Sequence, residues 1–190
     1  MHKTVSKWSA RKLAYVGIST ALIVVCTWIA VPLPSGIAFT MQTFAVCVAA
    51  SLLGWKYGTL AVVAYLLLGA VGLPVFSGFR AGAGVLLGAT GGYLIGFLFM
   101  APCTGLLSSQ FGNSPASLVL SMISGEILLY LFGTVWFVNV YAAKSGPMGY
   151  GSAFAVCVLP YLLPDAAKIA LAAVVVRRLR PYVTVGQGGI

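Results

Sequence analysis

From residue 13 to residue 176 the chain carries charge only at Lys56, Arg80, Glu126, Lys144, Asp165 and Lys168. A soluble domain covers itself with charged side chains, about a quarter of its residues. Here 7% of the residues are charged and 61% are hydrophobic, so no such surface can be built. Disorder fails for the opposite reason, because apolar content this high drives burial. The remaining solution is a chain whose solvent is the bilayer, and the mean hydropathy of +1.04 agrees. At roughly 20 residues per spanning helix, 190 residues allow at most about six or seven crossings. That leaves no room for a soluble catalytic domain of the usual ~100 residues.

Apart from those positions, the charge sits at the two ends. Lys3, Lys7, Arg11 and Lys12 precede the first apolar run, and Arg177, Arg178 and Arg180 follow the last. Basic flanks of this kind mark the cytoplasmic side of a membrane protein, and they suit contact with anionic lipid headgroups. The net charge of +9 therefore points to topology; no recognition motif accompanies it that would suggest nucleic acid. Cys26, Cys47, Cys103 and Cys157 stand singly in apolar stretches, and His2 is the only histidine. Neither a metal site nor a disulfide framework is expected from that spacing. The first apolar run is too long for a signal-peptide core and reads as a retained helix.

Breaking the hydropathy at charges, prolines and glycines gives six runs, at about 13–31, 40–53, 59–72, 84–108, 117–142 and 153–176. They form a single transmembrane domain over residues 1–190. The first run ends at Pro32-Leu-Pro-Ser-Gly36, and the second and third are separated by Gly54-Trp-Lys-Tyr-Gly58. All six are expected to be helical, since backbone in hydrocarbon must satisfy its own hydrogen bonds. An even number of crossings places both termini in the cytoplasm, as the basic ends require. The second and third runs are short for ~30 Å of hydrocarbon and are expected to lie against other helices. Gly84, Gly88, Gly92 and Gly96 fall at four-residue spacing along the fourth run, a stripe suited to close helix packing or to a ligand surface.

Charge inside a bilayer costs roughly 2.5–3.5 kcal/mol per residue on insertion scales, which singles out Glu126, Asp165 and Lys168. Asp165 and Lys168 are spaced i, i+3 and share one helix face. They read either as a self-neutralising structural pair or as a ligand site; since a buried pair is a poor source of stability, the ligand site is the preferred reading. Their distance from Arg177, about 18 Å of helix, sets them above the membrane middle. Pro164, immediately before Asp165, suggests a helix restarting there. Glu126 reads as a ligand contact, a protonated structural group or a proton relay. Arg80, in an outward loop, is either an anion contact or a solvated residue. Thr40, Gln42 and Thr43 cluster at the outer start of the second run, so these polar groups together outline an outward-facing small-molecule cavity.

The sequence has no G-x-x-x-x-G-K-[ST] loop and shows no nucleophile–base pair or metalloprotease motif. The reading is therefore a binding subunit that borrows energy from partners, without an enzymatic site of its own. The alternative is a stand-alone proton-coupled small-molecule carrier using Glu126.

Several segments carry a family resemblance. Pro32-Leu-Pro-Ser-Gly, Phe39-Thr-Met-Gln-Thr-Phe-Ala-Val and Tyr65-Leu-Leu-Leu-Gly-Ala-Val-Gly-Leu-Pro-Val-Phe occur in order. They are followed by Gly88-Ala-Thr-Gly-Gly-Tyr-Leu-Ile-Gly-Phe, Gly125-Glu126 with Tyr130, Gly133 and Trp136, and Pro164-Asp165-Ala-Ala-Lys168. From about Arg11 to Arg180 the chain resembles the BioY family, the biotin-binding S-components of energy-coupling factor (ECF) transporters. Ala89 departs from the pattern, where proline is expected before Thr-Gly-Gly-Tyr.

The resemblance implies an all-α, six-helix S-component fold in a prokaryotic plasma membrane, with biotin held near the outer face under the loop between the first two spans. It implies a transmembrane coupling protein and two cytoplasmic ATPase subunits as partners, with ATP used only by those partners and no cofactor in this chain. Biotin's ureido ring asks for donors and acceptors, its other ring and tail for apolar walls, and its carboxylate for a cation or backbone N–H groups. Asp165, Lys168, Thr43, Gln42, Tyr93, Arg80 and Glu126 are the candidate contacts. Ala10 with Ala14, and Gly17 with Ala21, form small-xxx-small pairs suited to docking the coupling protein or to packing within the chain.

Overall fold

The structure, a computed structural model, describes residues 10–31 and 38–183, the side chains of Lys144 and Ser145 excepted. Lys3, Lys7, the Pro32-to-Gly36 turn expected over the ligand and the 186–190 tail lie outside the described residues.

Helix dominates, as the hydropathy predicts. The elements are α1 (Ala10–Trp28), α2 (Gln42–Ala70), α3 (Ala83–Leu86), α4 (Gly91–Gln110), α5 (Pro115–Ser145), α6 (Tyr150–Cys157) and α7 (Leu159–Leu179). A two-residue antiparallel ladder joins β1 (Ala30–Val31) to β2 (Phe39–Thr40), with Ala30 opposite Thr40. Among the described residues five helices are long and apolar enough to cross a bilayer: α1, α2, α4, α5, and α7 with its extension to Tyr182.

The difference from six predicted runs lies in α2, which joins the second run to the third. Within it Gly54 has φ 73° and ψ 176°, a conformation that glycine alone adopts at little cost. In a straight helix Gln42 and Tyr65 would stand about 35 Å apart. Instead Gln42 Nε2 donates to Tyr65 Oη at 2.8 Å. Eight residues apart in sequence, Gly58 and Ala50 also touch: a Cβ on Gly58 would lie 2.6 Å from Ala50 Cα. α2 is therefore a hairpin folded at Gly54, and its two legs match the two short runs.

The last run is also divided. α6 and α7 meet at Val158, whose φ of −121° and ψ of −52° break the helix. Pro160 occupies the first turn of α7, where a missing N–H removes no hydrogen bond. The helix then continues through Pro164 and does not restart there as the sequence suggested, because Pro160 already forms the start.

The glycine stripe is split as well. α3 ends at Leu86 and α4 begins at Gly91, so only Gly92 and Gly96 share a long helix. Both are packing positions: a Cβ on Gly92 would lie 2.2 Å from Trp136 Cβ, and one on Gly96 2.9 Å from Leu129 Cδ1. This close approach seats α4 on α5, the most extensive helix pair in the molecule. Around them the core gathers Ile23, Val46, Val62, Tyr65, Phe76, Met100, Leu118 and Met122.

The ends are secured locally. Ser114 caps α5 by accepting from Ser117 N–H at 3.1 Å, with Pro115 behind it. Arg180 donates to the carbonyls of Ser108 at 2.8 Å and Gly112 at 2.9 Å, tying the end of α7 to the α4–α5 connection. Near the other end of the bundle, Trp28 Nε1 donates to the Pro74 carbonyl at 3.0 Å and its ring meets Phe79. α1 thereby holds the segment after α2 in place.

Candidate functional site

Residues from β2, from every helix but α1 and from the segment after α2 converge on a cavity whose empty space, counting its open mouth, is about 790 Å³. β2 and the first leg of α2 bring Thr40, Gln42 and Thr43; the segment after α2 brings Phe76, Ser77 and Arg80. Tyr93, Leu94 and Phe97 come from α4, Leu129 and Tyr130 from α5, and Tyr161, Asp165 and Lys168 from α7. The walls are largely aromatic and aliphatic, and apart from Arg80 the ionic groups are concentrated at one place.

That place is the Asp165–Lys168 pair. The i, i+3 spacing on α7 brings Lys168 Nζ to 2.6 Å from Asp165 Oδ1, with both side chains about 6% exposed. Thr43 Oγ1 donates to the same Asp165 oxygen at 3.3 Å. The second oxygen, Oδ2, accepts from the Tyr130 hydroxyl. Lys168 lies 3.9 Å from the centroid of the Phe39 ring, so the ammonium is held between a carboxylate and an aromatic face. Each charge thus has a counter-charge or donor, the condition under which a buried ionic group is tolerated.

Gln42 and Tyr93 are braced in the same wall. Gln42 Oε1 accepts from Thr40 at 2.9 Å while its Nε2 reaches Tyr65, which also accepts from Thr27 at 3.3 Å. Tyr93 Oη pairs with Thr134 Oγ1 at 3.2 Å. At the mouth Arg80 Nε donates to the Ser77 carbonyl at 3.0 Å. That bond bends a short turn over Ser77–Phe79 and leaves Arg80 on the cavity lining.

Six of the seven residues singled out from sequence thus line one cavity: Asp165, Lys168, Thr43, Gln42, Arg80 and Tyr93. Glu126 does not. It lies behind the wall, 4% exposed, near Asp165 and Tyr130, yet among the described residues neither carboxyl oxygen finds a hydrogen bond of good geometry. Two partners of the ionic pair have no assigned role in the sequence, where Tyr130 and Phe39 stand only within the family segments. The i, i+4 spacing of Glu126 and Tyr130 was the available signal; nothing local announced that Phe39 would cover a lysine 129 positions later. Ala10, Ala14, Gly17 and Ala21 are all exposed on α1, and a Cβ on Gly17 would meet nothing within 4 Å. Packing among the described residues does not explain that stripe.

Comparison with known proteins places this geometry in a lineage. The BioY family model matches residues 1–185. The chain belongs to the BioY family. Its BioY relatives include the biotin transporter of Thermotoga maritima, 44% identical over 90% of this chain and 96% of that protein. The probable biotin transporter of Pyrococcus horikoshii is 34% identical over 90% and 97%. The chain also superposes on the crystal structure of an S-component for biotin from an ECF-type ABC transporter. The TM-score is 0.79 at 29% identity, covering 94% of this BioY chain and 93% of the other.

Proposed function

We propose that the chain is the biotin-binding S-component of an ECF-type importer, capturing the vitamin from the outer face of a prokaryotic plasma membrane. The observation that carries this reading is the buried Asp165–Lys168 pair, open on one side to a cavity with apolar walls. Asp165 is placed to accept from the ureido N–H groups, and Lys168 and Thr43 to bond the ureido carbonyl. Phe76, Leu94, Phe97 and Leu129 enclose the thioether ring and tail, with Gln42 and Tyr93 completing the polar wall. Arg80, the other cation on the lining, receives the carboxylate at the mouth. Names and structures of relatives support the ligand, and the ionic constellation supports the residues.

The same proposal covers topology and partners. Counting the two legs of α2 separately, and α6 with α7 as one, gives six crossings with both termini in the cytoplasm. A transmembrane coupling protein meets α1 through Ala10, Ala14, Gly17 and Ala21, and two ATPase subunits supply the energy this chain has no motif to supply.

Calorimetric titration of the purified chain, stripped of bound ligand by refolding, tests the core of the reading, with thiamine and riboflavin as controls. Saturable, biotin-selective heat is expected. Asp165→Asn and Lys168→Ala are each expected to weaken binding at least about a hundredfold, the cost of leaving a buried partner charge unpaired. Folded protein that ignores biotin would sink the ligand; unchanged affinity in both variants would remove the pair from the site.

A further inference from the structure

Charge at the cavity floor is balanced before Glu126 is counted, because Asp165 and Lys168 neutralise one another. Glu126 adds a second carboxyl directly behind that pair, buried and without a hydrogen bond of good geometry among the described residues. The groups that face it are Asp165 and Lys168 from α7, Tyr130 from its own helix and Cys47 from α2. α4 and α6 bring no charged side chain; their Tyr93 and Cys157 stand further out, on the cavity wall. An ionised carboxylate only accepts and needs donors. The strong donors within its reach are the Tyr130 hydroxyl and the Lys168 ammonium, and both are committed to Asp165.

Two states follow from that competition. With a proton on Glu126, the carboxyl draws no donor away from its neighbours, and its own O–H can turn toward Asp165. Without it, an uncompensated charge at membrane depth must draw Tyr130 or Lys168 away from Asp165. We propose that Glu126 is a proton-binding site that positions the cavity floor: protonated, it leaves Tyr130 and Lys168 on Asp165, and ionised, it pulls them off and loosens ligand binding. It is a positioning residue, acting through Tyr130 and Lys168 and not through contact with the ligand. The inference rests on the proposed biotin-binding role and adds a pH dependence to it.

The sign is set by which form binds. The protonated form is competent, so ligand binding takes up a proton wherever free Glu126 is partly ionised. Affinity then falls as pH rises, toward a limiting slope of about tenfold per pH unit. Biotin titrations of the full chain from about pH 6 to about pH 9, in two buffers of different ionisation heat, read both quantities. Wild type is expected to lose affinity with pH and to take up part of a proton per biotin. Glu126→Gln is expected to keep the wild-type low-pH affinity across the range, with no uptake. Matching pH profiles in the two proteins, or a flat wild-type profile without uptake, overturn the proposal. Should Glu126→Gln fail to fold, Glu126→Asp replaces it and an unmoved pH midpoint overturns the proposal. Biotin binding at no pH removes the ligand reading itself, an outcome distinct from binding that ignores Glu126.

Discussion

Asp165 is the residue on which the others depend. It receives Lys168, Thr43 and Tyr130 at once, and only Lys168 brings a compensating charge. Tyr130 matters because a buried carboxylate oxygen without a donor bears its full desolvation cost, about 1–3 kcal/mol. Tyr130→Phe keeps the ring and removes the donor, so biotin affinity is expected to fall about tenfold, read by calorimetry. No change would mean that the hydroxyl serves some other partner. Asp165 and Lys168 were legible in the sequence because charge in hydrocarbon is rare enough to be noticed at once. Phe39 was not, since an aromatic in an apolar run looks like its neighbours until the fold sets a cation beside it, and Tyr130 offered only its one-turn spacing from Glu126.

Among the elements, the α4–α5 pair bears the cavity wall, and its closeness depends on the missing side chain at Gly92. Gly92→Val would drive atoms into Trp136, whose Nε1 also donates to the Gly88 carbonyl at 3.0 Å. Overpacking of this kind costs about 1–3 kcal/mol, so a lower thermal unfolding midpoint in detergent is expected. Gly84→Ala is the control, since a Cβ there meets nothing within 4 Å; equal midpoints for the two variants would deny the packing role. Hydropathy read the position of every long helix but misjudged how they join. A four-residue glycine period is visible in sequence; whether one helix carries it depends on the bend after Leu86, which only the packing of the 71–90 connection decides.

For the molecule as a whole, α1 is the peripheral helix, with 28% of its spanning window buried. Its N-terminal half presents Ala10, Ala14, Gly17 and Ala21 outward, while its C-terminal end holds the cavity-mouth segment through Trp28. The small-residue stripe and the cavity therefore occupy separate regions of the molecule. Gly17→Leu is expected to leave biotin titration of the isolated chain as it was and to reduce recovery of the coupling protein in co-purification severalfold. Full recovery would free the stripe from that role. The hairpin at Gly54 reaches further, into how the chain is made. Its first leg, residues 42–53, is about 18 Å long against ~30 Å of hydrocarbon. Most of that leg is buried by the helices around it. Such a leg has neither the length to insert alone nor a lipid-facing surface to rest on. During synthesis this leg is therefore left without its finished surroundings until α4 and α7, which pack on α2, have been made.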